Sequence, residues 1–309
     1  MSRRIRNIVT GIAEVEQGEP HLGPAIELAR ALEAALHVVH AYNLPDPSLY
    51  PNLEPSIFSP DVMQHAYERA ERRLEEHVRN ITGSDRVRCH ARPGPAAPAI
   101  LDVADEVDAD LIIVGATHHG RIARAIMGTT AQRVIRAARV PVLVTGPRHQ
   151  RIRRVLLTTD LSGLSPGVNQ MGMELVEMLA ADGEPELRAL LVVGYDLPLI
   201  MPLEPGGVEQ AAERQLGEYL DELRTTAGRE VQGKVRVGDP AREILAEAET
   251  WEADLLVLGT HGRGGALRFL IGSVAESVLR RVECDALVVP AAAVEARPAA
   301  AAAGRAGGD

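Results

Sequence analysis

Apolar positions recur along this chain in two ways, as short unbroken runs and as longer stretches in which they return every three or four residues. The first pattern predicts buried strands and the second amphipathic helices. Runs at 5–10 and 155–159 lead through a turn into helices at 25–32 and 173–179, then into strands at 36–40 and 189–193. Proline-rich connections at 44–60 and 197–206 mark loops, and long charged helices follow at 61–80 and 208–224. Third strands at 86–91 and 231–237, helices at 96–107 and 241–252, and nearly all-apolar fourth strands at 111–114 and 255–258 come next. A last helix (130–138; 274–282) and strand (142–145; 286–289) close each half. Continuous apolar strands alternating with helices predict an α/β fold with parallel sheets covered on both faces.

The order of elements occurs twice, and so does the sequence. Residues 110–115 read DLIIVG and 254–259 read DLLVLG. At the same offset Gly94 meets Gly238, Ile100-Leu101 meets Ile244-Leu245, Gly128-Thr129 meets Gly272-Ser273, and Leu143-Val144 meets Leu287-Val288. About eleven of roughly 35 positions after Asp110 are identical without a gap, which makes the chain a tandem duplication. Its 309 residues suit two domains, placed at 1–147 and 152–292. The basic junction at 148–154 reads as a solvated linker, with an anion site as the alternative. Residues 293–309, rich in alanine and glycine, are expected to form a disordered tail.

Composition narrows the function classes. Acidic residues outnumber basic ones 43 to 33, and a net charge of -10 argues against a broad positive face for nucleic acid. No stretch approaches the ~20 uninterrupted apolar residues of a membrane helix, and no export signal is visible at the N-terminus. A cytoplasmic protein with neither membrane nor nucleic acid as partner is expected. Cys89 and Cys284 have no metal-site or disulfide spacing and read as two small buried thiols.

Candidate chemistry gathers where the fourth strand of the second half ends. It runs into Gly259-Thr260-His261-Gly262, then nine residues, then Gly272-Ser273 at the start of a helix. An open parallel sheet binds ligands beyond the carboxyl ends of its strands, where the strand order reverses. Gly259 and Gly262 allow close backbone approach to an anion, and the helix opened by Ser273 offers free N–H groups, so phosphate is the natural guest. Asp160, ending the first strand of that half, shares the same edge and suits ribose hydroxyls. The competing structural reading is that Ser273 with Glu276, and Thr129 with Gln132, are capping boxes, and that Asp160 is a turn residue.

The G-x2-G-x9-G-S arrangement, together with Val237–Ile244 (VGDPAREI) and Gly259–Gly264 (GTHGRG), resembles the universal stress protein family over nearly the whole chain in two copies. The resemblance implies two Rossmann-like domains of the adenine nucleotide alpha hydrolase kind, each a five-stranded parallel sheet in order 3-2-1-4-5. It also implies ATP binding in the copy that carries the glycine motif. Carried over, Asp160 reaches the adenosine part with Thr158 and Thr159 beside it. Gly259, His261 and Gly262 match the loop around ribose and phosphates, and Gly272, Ser273 and Val274 the phosphate-binding helix start. Either Val193 or Gly194 faces the base pocket.

The first half departs from this pattern, because His118 stands where the second has Gly262 and Ala13 where it has Asp160. Its nucleotide motif is therefore degenerate, although Gly115, Gly128 and Thr129 remain and a loop shift could bring Gly120 into play. His118-His119 with His90 would suggest a metal, but consecutive residues point apart on extended backbone, and no metal site is assigned. No G-x-x-x-x-G-K-[ST] segment exists, the lysine Lys234 lies well before the loop, and Ser273 has no triad partners, so no catalytic residue is assigned. The expected protein is a stress-response regulator holding ATP, ADP or AMP, with Mg2+ optional, in its second domain. The alternatives are a nucleotide-independent interaction module and a slow ATPase. The resemblance also implies association through the last strands, as a pseudo-dimer within one chain and a homodimer of chains.

Overall fold

The computed structural model describes residues 4–13, 21–42, 54, 59–82, 87–116, 127–180, 183–194, 207–260 and 271–296. They group into two compact units, residues 1–138 with 142–145 and residues 139–141 with 146–309. Unit 1 runs β1 (Asn7–Ile12), α1 (Leu22–Ala31), β2 (Ala35–Tyr42), α2 (Pro60–Thr82), β3 (Val87–Pro93), α3 (Ala96–Glu106), β4 (Leu111–Gly115), α4 (Thr129–Ala137) and β5 (Val142–Thr145). Unit 2 runs β6 (Arg154–Thr159), α5 (Ser165–Leu179), β7 (Glu186–Val193), α6 (Gly207–Ala227), β8 (Gln232–Val237), α7 (Pro240–Thr250), β9 (Leu255–Gly259), α8 (Ser273–Leu279), β10 (Asp285–Val289) and α9 (Ala291–Glu295).

Within unit 1 every pairing is parallel, in the order β3-β2-β1-β4-β5, and unit 2 repeats it as β8-β7-β6-β9-β10. Numbered within each copy, both are 3-2-1-4-5, so the expected fold class holds. The central strands are apolar on both faces because helices cover both: Ile8, Leu111, Ile112, Leu156, Leu157 and Val257 are fully buried. In unit 2, α5 packs on α6 over one face, and α7 on α8 over the other.

Each central strand starts with the same device. Asp110 Oδ2 accepts from the backbone N–H groups of Arg6 (2.8 Å) and Asn7 (3.2 Å), and Asp254 Oδ2 from those of Arg153 (2.7 Å) and Arg154 (2.9 Å). Asp110 N donates to Asn7 O and Asp254 N to Arg154 O, both at 2.9 Å. These bonds satisfy strand-start donors that would otherwise be left unpaired. They also equate Asn7 with Arg154, and hence Gly11 with Thr158 and Ala13 with Asp160.

Several sequence expectations need correction. α5 begins at Ser165 rather than 173, because Pro166 sits at the helix start, where its fixed φ and missing N–H are tolerated. Gly172, inside that helix, lets it lie on β9: a Cβ there would stand 2.6 Å from Val257 Cγ1. The basic junction is largely exposed, as expected of a solvated linker, and is also tied down by hydrogen bonds. His149 pairs with the buried Asp285, Gln150 Nε2 donates to Asp254, and the Gly146 and Arg148 N–H groups bond Asp285 and Glu283. The expected tail begins instead with α9, whose Ala293 is buried, and residues 297–309 lie outside the described ones. The proline-rich connections are also largely outside them. Cys284 is buried as expected, but Cys89 is half-buried; burial pushes their thiols up to about 12 and about 11.

Candidate functional site

The order of strands in unit 2 reverses between β6 and β9, so a crevice opens beyond their carboxyl ends. Thr158, Thr159 and Asp160 leave β6 there, and Gly259 and Thr260 leave β9 beside them. Gly272 N donates to Thr260 O at 2.8 Å, Thr260 N to Val289 O at 3.2 Å, and Ala291 N to Thr260 Oγ1 at 3.2 Å. These bonds fix both ends of the glycine loop. His261 and Gly262 themselves lie outside the described residues. The structure thus brings Thr158, Thr159, Asp160, Gly259, Gly272, Ser273 and Val274 to one sheet edge.

Gly272, with extended backbone, is the N-cap of α8, and Ser273 is the first residue inside the helix. The capping box is therefore absent: a glycine carbonyl takes the Glu276 N–H at 2.9 Å. Ser273 is exposed, and its N–H and those of Val274 and Ala275 precede the first intrahelical bond. Glu276 is neutralised by Arg280 one turn on. α4 begins the same way after Gly128, and Gln132 Nε2 reaches Met127 O instead of a cap.

Around Asp160 the turn reading proves correct for one oxygen. Oδ1 accepts from Ser162 N at 2.9 Å and Ser165 Oγ at 2.7 Å. Leu161, next in the chain, has φ 58°, a left-handed conformation that a bulky residue adopts only when its surroundings impose it. The neighbouring threonines are engaged in the scaffold: Thr158 Oγ1 donates to Val257 O at 2.9 Å, and Thr159 Oγ1 accepts from Leu161 N at 3.0 Å. At the end of β7 the Val193 carbonyl is taken by Gly238 N, while Gly194 has open space around it.

A buried polar cluster under this edge was not read from the sequence. Asn169 of α5 is fully buried; its Nδ2 donates to Thr158 O (3.2 Å) and Tyr219 Oη (2.7 Å), and its Oδ1 has no partner. Tyr219 of α6 donates to Ser165 O at 3.2 Å, and burial pushes its phenol above the ordinary value. The signal was a lone Asn in apolar surroundings, hidden once the helix was started at 173.

Unit 1 has no carboxylate in the place of Asp160, since Ala13 stands there. His118, His119 and Gly120 lie outside the described residues. His90 stacks on His37 and shares a 2.9 Å hydrogen bond with it. Among the described residues no group of three or more His, Cys, Asp or Glu is arranged to hold a metal ion, and no helix is long and apolar enough to cross a membrane.

The family model described as the universal stress protein family matches residues 4–146 and again 151–290. A universal stress protein of Mycobacterium tuberculosis H37Rv is 27% identical over 304 residues, covering 92% of this chain and 99% of that protein. Among solved structures, a universal stress protein from Archaeoglobus fulgidus superposes with a TM-score of 0.61 at 18% identity, over 92% of this chain and 98% of that one. A protein of unknown function from Pseudomonas aeruginosa PAO1 gives 0.66 at 21% identity, over 94% of each.

Proposed function

The chain belongs to the universal stress protein family in two tandem copies, and on that footing we propose that its second unit binds an adenine nucleotide and works as a stress-response regulator. The observation that carries this reading is the 2.8 Å bond from Gly272 N to Thr260 O, which holds the two ends of the glycine loop together at the sheet edge that carries Asp160. Phosphates meet the N–H groups of Ser273 and Val274 and the positive end of α8. The adenosine part lies toward Asp160, held ready by Ser162 and Ser165. Gly262, His261 and Gly259 supply the loop around ribose and phosphates. Any Mg2+ arrives with the phosphates, since the chain is assigned no ligand for it. ATP, ADP and AMP all fit this scheme. Binding changes the surface shown to a protein partner; turnover is slow at most. A cytoplasmic homodimer belongs to the same reading.

The interaction module remains the second reading because Thr158, Thr159 and Asp160 Oδ1 all serve the scaffold. The test is to denature freshly purified protein and count released nucleotide per chain by chromatography and mass spectrometry. One adenine nucleotide per chain, lost in Gly262→Glu with the fold kept, supports the site. No released nucleotide and no thermal shift with added ATP and magnesium refute it. ATP turnover abolished in Asp160→Ala favours the slow ATPase.

A further inference from the structure

The two copies differ in the buried side chain that meets the first strand's terminal carbonyl. His21, which directly precedes α1, is 5% exposed, and its Nε2 donates to Gly11 O at 2.7 Å. Its ring lies on Gly115 at the end of β4: a Cβ on that glycine would stand 2.5 Å from Nδ1, 3.1 Å from Cγ and 3.3 Å from Cε1. β1 and β4 are the strands between which the order of unit 1 reverses. The imidazole therefore lies at the first unit's own switch point. In unit 2 the counterpart of Gly11 is Thr158, and the side chain that donates to its carbonyl from the first helix is Asn169, at 3.2 Å. His21 and Asn169 thus make the same bond to the same place in the sheet. They differ in what extends beyond it: an amide ends there, whereas an imidazole continues over the fourth strand's terminal glycine.

We infer that the side chain meeting this carbonyl decides which copy admits a ligand, with Asn169 leaving the second crevice open and His21 closing the first with the chain's own ring. The inference rests on the nucleotide reading of unit 2 and goes beyond the changes at Ala13 and His118. Those remove contacts a ligand would use. His21 occupies space at the switch point, and a clash is a separate way to reject a ligand from the loss of a contact. Fixing the ring by a hydrogen bond to backbone and by close packing on Gly115 keeps it from swinging aside.

Exchanging the residue separates size from bonding. Asn169→His keeps a donor able to reach toward Thr158 O and adds ring volume at that carbonyl, and is expected to weaken ATP binding about 100-fold or more. Asn169→Ala loses the bond without filling space, and should weaken it no more than about tenfold. ATP titrations of wild type and both variants, each with a thermal melt, give the comparison. In parallel, exchange of the His21 ring carbon proton, followed by mass spectrometry, should be slow and unchanged by saturating ATP. A folded Asn169→His that binds like wild type, an Asn169→Ala as defective as Asn169→His, or ATP-dependent exchange at His21 overturns the inference while the nucleotide reading stands. If Asn169→His fails to melt cooperatively, the Asn169→Ala titration and the His21 exchange decide. Wild type that binds no ATP brings down the nucleotide reading and the inference with it.

Discussion

The paired histidines of unit 1 make it sensitive to acid. His37 on β2 is 1% exposed, and its Nδ1 meets His90 Nε2 on β3 at 2.9 Å, one nitrogen donating and the other accepting. Burial, then the neighbouring His90 and Arg88, lower His37 from 6.5 to about 4. Burial lowers His90 too, with Arg92 and Arg88 opposing a proton and Glu106 and Glu71 favouring one. Between pH 6.5 and 4 the unfolded chain binds a proton at His37 that the folded chain refuses, so stability is complete above 6.5 and is lost as pH falls through this window. The whole gap is worth about 3 kcal/mol, of which about 2 kcal/mol is lost by pH 5, where most carboxylates are still ionised. Urea unfolding at pH 7.5 and 5.0 measures it. Trp251, the single tryptophan, reports unit 2 by fluorescence, and hydrogen exchange of β2 and β3 peptides reports unit 1. His37→Asn keeps a polar atom near Nδ1 but cannot titrate. It should be less stable at pH 7.5 and lose well under half as much on acidification. An unchanged pH dependence in that variant would refute the reasoning.

Other consequences follow from single contacts. Gly172→Ala forces a Cβ against Val257 in a fully buried helix–strand contact and should cost unit 2 about 1–3 kcal/mol by urea midpoint; an unchanged midpoint would show that α5 lifts off β9 freely. Asp254→Ala strips the acceptor from the N–H groups of Arg153 and Arg154 and from Gln150, and should lower unit 2 stability by about 2 kcal/mol, with Asp110→Ala acting likewise on unit 1. Glu247 is buried; burial works to raise its pKa, and Arg188 and Arg236 more than offset it, so Glu247→Gln should cost about 2–4 kcal/mol and change little if the arginines find other acceptors. With thiols at about 11 and about 12, Cys89 and Cys284 should resist iodoacetamide at pH 8 in native protein and react in urea; rapid native labelling would contradict their burial.

Strands and their order were legible because a parallel sheet covered on both faces needs unbroken apolar runs, and those of β4 and β9 have no other ready interpretation. Element ends were less so. Pro and Gly commonly break helices, yet Pro166 sits where a helix tolerates proline and Gly167 is carried along inside α5. Moving that start concealed Asn169. The S-x-x-E match at Ser273 failed because the cap depends on backbone angles, and Gly272 already has the extended conformation that a cap requires. Asp160 was found by its place in the chain, whereas its bonds to Ser162 and Ser165 depend on the turn between them and could not be read ahead of the fold.

The duplication separates what builds this fold from what varies on it. At strand starts the two copies agree in detail: Asp110 and Asp254 each gather two backbone donors. Asp108 and Glu252 each adopt left-handed backbone before the fourth strand, at φ 49° and 50°. These features set register, and a copy that lost one would lose stability at once. At strand ends the copies diverge, with Ala13 for Asp160, His118 for Gly262, and His21 rather than an asparagine meeting the first strand's terminal carbonyl. The bond to the carbonyl of Gly11 or Thr158 is kept by both His and Asn. The opposite edge therefore carries the stability of both units, which left the first copy able to close its crevice without unfolding.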